Sequence, residues 1–536
     1  MLGMTILKYD AVIIGAGHNG LTAANYLARA GMNVCVLEQR AVIGGAALTE
    51  EFHPGYRNST FSYVVSLLRP EVVRDLELEK YGYEPILLQN ALYLDSAGGS
   101  LLLTGDESAD RAEFKKFSSV DYDNYLRFEE TIEVVGDLLS KQWLKEPPRL
   151  AKTGISDIAS LGRLGIDVFK LDEQMRWRLL QFFLGAPESI IDRWFDSDKV
   201  KSMVAAHIMP ANYAPLNQPG ASLAMLHHAV GEISGHKGAW GIVKGGMGSI
   251  TQAMAKSAES KGVVIRTQAA VSRVLVKNGA VEGVLLETGE RIYSEVIAAN
   301  TDPKRTLLTL LGKDYLPQDT VRDLAGFRQE SASLRINLAL SGLPEFAAIP
   351  GSDIGSHHRS TMVMIESAQH LNDAYSSARS GKPASPPIIE AIIPSVLDPD
   401  LVDEQGHHVM SLLCKYMPYD LADGAQWDAI KDEVVSNILD YLAQFIPNLR
   451  DILVAHTCYT PLDLERTLGM TRGDICHGRL EPDQLWSMRP TPELAQYSTP
   501  VTGLYLCGSG SHPGGGVTGA PGYNAARRIL KDRRRV

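Results

Sequence analysis

The chain is poor in cysteine, in net positive charge and in long apolar runs. Each shortage removes a class of function. Five cysteines in 536 residues (Cys35, Cys414, Cys458, Cys476 and Cys507) are an odd number with no C-x-x-C pair. A paired redox disulphide is therefore not expected, and free thiols in a reducing compartment are. No run of about 18 apolar residues occurs, so no transmembrane helix is predicted. No secretory apolar segment precedes the first predicted strand, which begins near Tyr9 and leaves little room for a transit peptide. A cytoplasmic-type protein is the expectation, in the mitochondrial matrix if the source is eukaryotic. Lys and Arg number 52 against 63 Asp and Glu, a formal charge of −11, which argues against general nucleic-acid binding. The sign reverses only near the C-terminus, at Arg527, Arg528, Lys531, Arg533, Arg534 and Arg535. Such a cluster is either a peripheral contact to anionic lipid or a solvated helix end that suits the helix dipole. His227-His228 and Cys476-His477 are isolated pairs without a ligand quartet, so no metal is expected. Neither a long-period repeat nor an obvious catalytic dyad is present.

The rest of the composition, 45% hydrophobic and 21% charged, is that of a globular protein, and the length calls for at least two domains. The most informative segment runs from Asp10 to Arg40: a short apolar strand, Gly15-Ala-Gly17-His-Asn-Gly20, a helical stretch, a second strand and an acid. Gly15 turns the chain out of the strand, Gly17 lets backbone approach a pyrophosphate, and Gly20 lets the helix pack close to the sheet. The helix N-terminus faces the phosphates with its partial positive charge. Glu38 follows Gly17 by 21 residues, where a carboxylate accepts the ribose hydroxyls. Directly after the acid come Arg40, Gly44, Gly45 and Ala46. A second glycine pair there lets backbone pass the diphosphate and ribityl chain of FAD, whereas a nicotinamide enzyme has no use for it, so FAD is favoured over NAD.

Helical spacing sets in from about residue 106, over Asp121 to Leu139 and Ile158 to Leu184, and reads as a helical insert. A second block begins at Trp240. Its glycines at 245–248 lead into a helix, followed by strands near 263–266 and 271–276, a hairpin turn at Asn278-Gly279 and a return strand to Leu286. The glycine cluster reads as a tight turn. A second nucleotide site is the other reading, with Arg266 as the one residue that could meet a 2′-phosphate. Residues 331–341 and 388–416 alternate like strands of a mixed substrate-domain sheet, and the Ser-, Pro- and Ala-rich stretch 368–387 reads as a loop. The last block runs from a strand at Gly503 through Gly508, Ser509, Gly510, His512, Gly516 and Val517 into a helix whose N-terminus can face the flavin.

Taken together, Gly15–Leu21, Val42–Ala47, Ser66–Pro70, Gly238–Gly248, Thr460–Arg466 and Leu504–Val517 resemble the phytoene-desaturase-like family of FAD oxidoreductases. Within it the nearest likeness is to the group called pyridine nucleotide-disulphide oxidoreductase domain-containing protein two. The resemblance covers nearly the whole chain. It implies an α/β fold with a glutathione-reductase-like, Rossmann-type FAD domain (1–105, 236–310 and 485–536). A mixed-sheet and helical substrate domain would be inserted at 106–235 and 311–484. FAD contacts would fall on Gly15, Gly17, Gly20, Glu38, Arg40, Gly45, Ala46, Val271, Gly508 and Val517, with Val271 meeting the adenine through backbone. Asn19, Gln39, Gly44, Ser509 and Gly516 complete the expected set. The group's name does not carry disulphide chemistry here, because no cysteine pair exists.

Family members act on long apolar polyenes, so an FAD-dependent dehydrogenase or oxidase of an apolar substrate is the leading expectation. A redox-neutral isomerase and a flavin-bound interaction protein remain as alternatives, and a homo-oligomer stays open. His512 is a candidate general base or, alternatively, a residue that orients its turn. Tyr63 is a candidate catalytic or packing residue of the cavity.

Overall fold

The computed structural model describes residues 8–150, 153–206 and 212–534; Arg535 of the basic cluster lies outside them. Four-residue apolar runs, Ala11–Ile14 and Val34–Leu37, are buried on both faces and form the middle of a sheet. The full order is Val264–Arg266, Val34–Leu37, Ala11–Ile14, Ile297–Ala299 and Leu504–Leu506, all parallel. Continuous apolar runs, not alternation, are what a sheet covered on both sides requires. The helices Gly248–Glu259 and Ala520–Arg533 both pack on His18–Arg29, so the three sequence blocks assemble into one unit. The expected hairpin is present: Val271–Lys277 and Ala280–Leu286 pair around Asn278 and Gly279, both at positive φ (53° and 78°). A third strand, Arg291–Tyr293, completes an antiparallel meander.

The second sheet has seven strands in the order Leu453–Tyr459, Ser333–Leu340, His408–Lys415, Ile388–Ile392, Ser360–Met364, Asn90–Leu94 and Ser100–Leu103. One pair, Ser360–Met364 with Asn90–Leu94, is parallel and the others are antiparallel. The strands at 90–103 thus sit in this sheet, on the substrate side of the boundary expected at 105. A helical layer, including Asp121–Trp143, Ile155–Phe169 and Glu173–Leu184, packs beside the sheet around Phe128, Leu179 and Phe182. Among the described residues no helix is long and apolar enough to cross a membrane.

The stretch expected to be a loop at 368–387 contains a helix, Ala368–Arg379. Its start is capped by Ser367, whose side chain accepts from the His370 N–H. Leu371, Ala374 and Ala378 share its buried face. The alanines that read as loop composition are strong helix formers, and the prolines fall only after the helix ends.

Close packing at Gly20 is testable. A Cβ there would lie 2.1 Å from the Gly15 carbonyl oxygen, whereas one at Gly162 would meet nothing. Gly20→Ala is expected to destabilise the apo-protein by about 2 kcal/mol or more. Gly162→Ala, in an exposed helix interior, is expected to be neutral or stabilising by up to about 1 kcal/mol. Thermal unfolding of both variants beside the wild type checks the contrast.

Candidate active site

A large cavity opens at the carboxyl ends of the parallel strands, where ligands bind in folds of this topology. Gly15 leaves the first strand at φ 96°. At Gly17 a Cβ would come within 2.8 Å of Asn300 Nδ2, and at Gly45 it would press on the Gly17 Cα at 3.3 Å, so glycine faces glycine across the turn. Glu38 binds both sides of this cradle: one carboxylate oxygen accepts from the Ala16 N–H at 2.9 Å and the other from the Arg40 N–H at 3.0 Å. Gly15, Gly17, Glu38, Gln39 and Arg40 line the cavity, with Gly45 and Ala46 beside them; Val271, Ser509, Gly516 and Val517 line it from the other two blocks. Asn19, Gly20, Gly44 and Gly508 are not on the wall. They shape it. Asn19 Nδ2 donates to Ser509 Oγ at 3.1 Å, which ties the first glycine turn to the last. At Gly508 a Cβ would stand 2.7 Å from the Asn300 carbonyl oxygen, and at Gly44 2.6 Å from that of Ala47.

Among the polar atoms buried on the cavity lining without a protein partner are Arg40 Nη1 and His18 Nε2, beside the glycine cradle, and Arg335 Nε and His477 Nδ1. Arg40 Nη2 is held by Glu50 at 3.0 Å, which aims the guanidinium. Burial, reinforced by neighbouring His477, pushes the His18 pKa down to about 4, so its ring is neutral near pH 7. A glycine cradle, a guanidinium with one nitrogen left unpartnered and a helix N-terminus suit a diphosphate, and Glu38 at the strand end suits a ribose. The residues present fit FAD. Arg266, the one residue favouring a second nucleotide at 245–268, is engaged by Glu290 at 2.7 and 2.9 Å.

The sequence gives no hint of Arg489. Fully buried, its guanidinium donates to the carbonyls of Cys476 (2.7 Å), Arg479 (3.1 Å) and Ser509 (2.9 Å), with longer contacts to Gly478 and Gln484. It joins the loop that carries Cys476 and His477 to the last glycine turn. His512 lies in that turn but not on the cavity wall. Its Nε2 donates to the Gln142 carbonyl at 3.1 Å, and burial lowers its pKa to about 4. The geometry is that of a residue orienting the turn.

Tyr63 does line the cavity, and its hydroxyl donates to Glu390. Pairing across three strands sets Arg335 opposite Leu413 and Leu413 opposite Glu390, so the cation and the acid share one sheet face, and Tyr63 packs on Leu413 between them. The Arg335 guanidinium lies over the Tyr63 ring, 4.4 Å from its centre, and donates to the Leu412 carbonyl and to Ser411 Oγ. Burial raises the Glu390 pKa to about 7, against the pull of Tyr63, Arg335 and Lys415. Burial also lowers Arg335 to about 10 and holds the Tyr63 phenol well above its ordinary value. Glu390 in turn lines a second cleft of about 550 Å³, and His228 and Trp240 stand on the walls of both spaces.

A profile described as flavin containing amine oxidoreductase matches residues 20–300. A rat protein named pyridine nucleotide-disulfide oxidoreductase domain-containing protein 2 is 37% identical over 98% of this chain and 94% of its own length. A phytoene desaturase (lycopene-forming) of Pantoea ananas is 23% identical over 95% of this chain and 96% of its own. Among solved structures, an oxidoreductase from Methanosarcina mazei superposes with a TM-score of 0.60 at 15% identity, covering 98% of this chain and all of that one. With the FAD-shaped cavity already in place, these likenesses make the chain a member of the flavin containing amine oxidoreductase family, an FAD-dependent oxidoreductase related to the phytoene desaturases.

Proposed function

We propose that the protein is an FAD-dependent dehydrogenase of an apolar, polyene- or lipid-like substrate. The observation that carries this reading is the apolar part of the cavity lining, to which Phe61, Leu67, Trp240, Leu413, Leu468 and Met470 contribute beside the FAD cradle. The second cleft continues it with Leu92, Phe128, Ile132, Met203 and Met225, giving room for an elongated molecule. A glutathione-reductase-like arrangement of the FAD domain is supported by the parallel sheet order and by the antiparallel meander inserted between the strands Val264–Arg266 and Ile297–Ala299.

Bound FAD supplies the two-electron acceptor. The chain supplies desolvation, orientation and a destination for the proton. Apolar walls exclude water and align a carbon chain along the cavity. Tyr63 lines the cavity, and its hydroxyl proton points to Glu390. As the substrate loses a proton to the Tyr63 oxygen, the Tyr63 proton passes to the Glu390 carboxylate. Arg335 over the ring steadies negative charge on the phenol oxygen in transit. Glu390 can then release the proton into the second cleft, which it lines.

Three measurements test this reading. In an anaerobic titration of the FAD-loaded protein, detergent-solubilised phytoene is expected to bleach the flavin band, while NADH, NADPH and putrescine leave it unchanged. Bleaching by a nicotinamide or by the diamine alone would replace the proposed substrate class. In the wild type the rate of that bleaching is expected to rise with pH through about 7, because Glu390 accepts a proton only when ionised. Glu390→Gln is expected to be slower by about 100-fold and to lose that pH step, within the range general-base removal gives. Arg40→Met is expected to raise the FAD dissociation constant by about 10- to 100-fold, the loss of a charge-assisted contact, as read by quenching of FAD fluorescence on the apo-protein.

A further inference from the structure

The Cys476-His477 pair is left unused by the proton route through Tyr63 and Glu390. Among the described residues, eleven other than glycine adopt positive φ, and of these His477 alone lines the flavin cavity. Its φ is 53°. A left-handed backbone costs free energy at a residue with a side chain and persists only where the surroundings impose it. Two clamps impose it here. The buried Asp474 carboxylate accepts from the Cys476 N–H at 2.9 Å and from the Gly478 N–H at 2.8 Å, on either side of His477. Arg489 Nη2 donates to the Cys476 carbonyl at 2.7 Å and to the Gly478 carbonyl at 3.3 Å. The same loop is pressed on the last glycine turn. A Cβ at Gly510 would stand 3.5 Å from the His477 carbonyl oxygen, and one at Gly515 2.6 Å from the Cys476 Cα. Glycine would adopt the His477 backbone freely, so the clamped strain serves the side chain.

The ring of His477 is held at the cavity and is not consumed by the fold. Its Nδ1 is buried without a protein partner. Burial and the Arg489 charge hold its pKa below the ordinary value, against the pull of the Asp302 and Asp474 carboxylates, so the ring is neutral near pH 7. Across from it, His18 bonds the Gly516 backbone, and its own proton affinity is lowered by the nearness of His477. Two neutral imidazoles from separate chain segments thus meet where the last glycine turn borders the cavity. A neutral imidazole carries an N–H donor. A flavin ring gains negative charge on two-electron reduction, and a fixed donor beside it stabilises the reduced form.

We propose that His477 is a cofactor-contacting residue whose imidazole donates a hydrogen bond to the flavin ring and shifts the bound cofactor toward its reduced state. The proposal rests on FAD occupying the cavity and not on the substrate class.

Reductive titration of the FAD-saturated protein against a reference dye, with dithionite as electron donor, tests it without a substrate. His477→Leu and His477→Gly both remove the donor; the first keeps bulk and the second frees the backbone. Each is expected to shift the two-electron equilibrium about tenfold toward oxidised FAD, a fall of about 30 mV in midpoint potential. His477→Gln keeps a donor and is expected to stay within about threefold of the wild-type equilibrium. The apo-protein of His477→Gly is expected to unfold at or above the wild-type temperature, because the strain leaves with the side chain. A purely structural role predicts the reverse, a lower unfolding temperature with an unchanged potential, and that result overturns the proposal. A wild-type potential in the loaded Leu variant overturns it alone. A wild type that takes up no FAD, read by fluorescence quenching, overturns it together with the cofactor assignment.

Discussion

The active cavity depends on a guanidinium buried without a carboxylate. Arg489 is fully enclosed, and its donors are spent on main-chain carbonyls from Cys476 to Gln484 and at Ser509. Those carbonyls belong to turns that make no ladder, so without the guanidinium several acceptors would be buried unpaired at a cost of about 1–3 kcal/mol each. The arrangement is reciprocal. Burial alone pulls the Arg489 pKa down to about 10, and the array of carbonyl dipoles is what keeps the cation tolerable there. One side chain thereby fixes Cys476 and His477 on one wall and Ser509 on another. Through the Asn19–Ser509 hydrogen bond the same constraint reaches the first glycine turn. A cradle assembled from chain segments hundreds of residues apart needs such a tie, because no local propensity brings its parts together.

This explains which parts of the site were legible in the sequence. Gly15, Gly17, Glu38 and Arg40 announce themselves because strand, turn, helix and acid follow one another within thirty-one residues, and the structure brings these four to one wall. Glu390 and Arg335 do not. Each sits in an apolar strand where a single charged residue reads as an outward-facing exception, and only cross-strand register reveals that both point to Tyr63. The Tyr63–Glu390 contact spans 327 residues of sequence, and no periodicity encodes it. His512 was legible as a residue type in a glycine turn, but its direction was not; the ring turns back to the Gln142 carbonyl of the helical insert. Helix Ala368–Arg379 was missed for a milder reason, since serine and alanine suit a loop and a capped helix alike until burial of Leu371 and Ala374 decides.

Burial also sorts the charges around Tyr63. Glu390 is pushed up to about 7 and Lys415 down to about 8, each toward its neutral form, and Arg335 falls to about 10. A carboxyl and an amine whose affinities for the proton nearly meet can change protonation at small cost, which an isolated surface pair with ordinary values cannot do. Lys415 is occupied by the Ser331 carbonyl and Ser333 Oγ, whereas Arg335 lines the flavin cavity and Glu390 the second cleft.

The helical insert links the chemistry to the outside. Its long helix Asp121–Trp143 contributes Phe128 to the packed core and Ile132 to the second cleft, and that cleft meets the flavin cavity at His228 and Trp240. Exposed apolar side chains of Ile155–Phe169 and Glu173–Leu184 are carried on the same helical layer. Apolar surface costs free energy wherever it faces water, and here it is retained at the cleft wall and on the outer face of the same layer. The helical layer thus contributes side chains to the second cleft, while the FAD cradle is built from the glycine turns and strand ends of the parallel-sheet blocks.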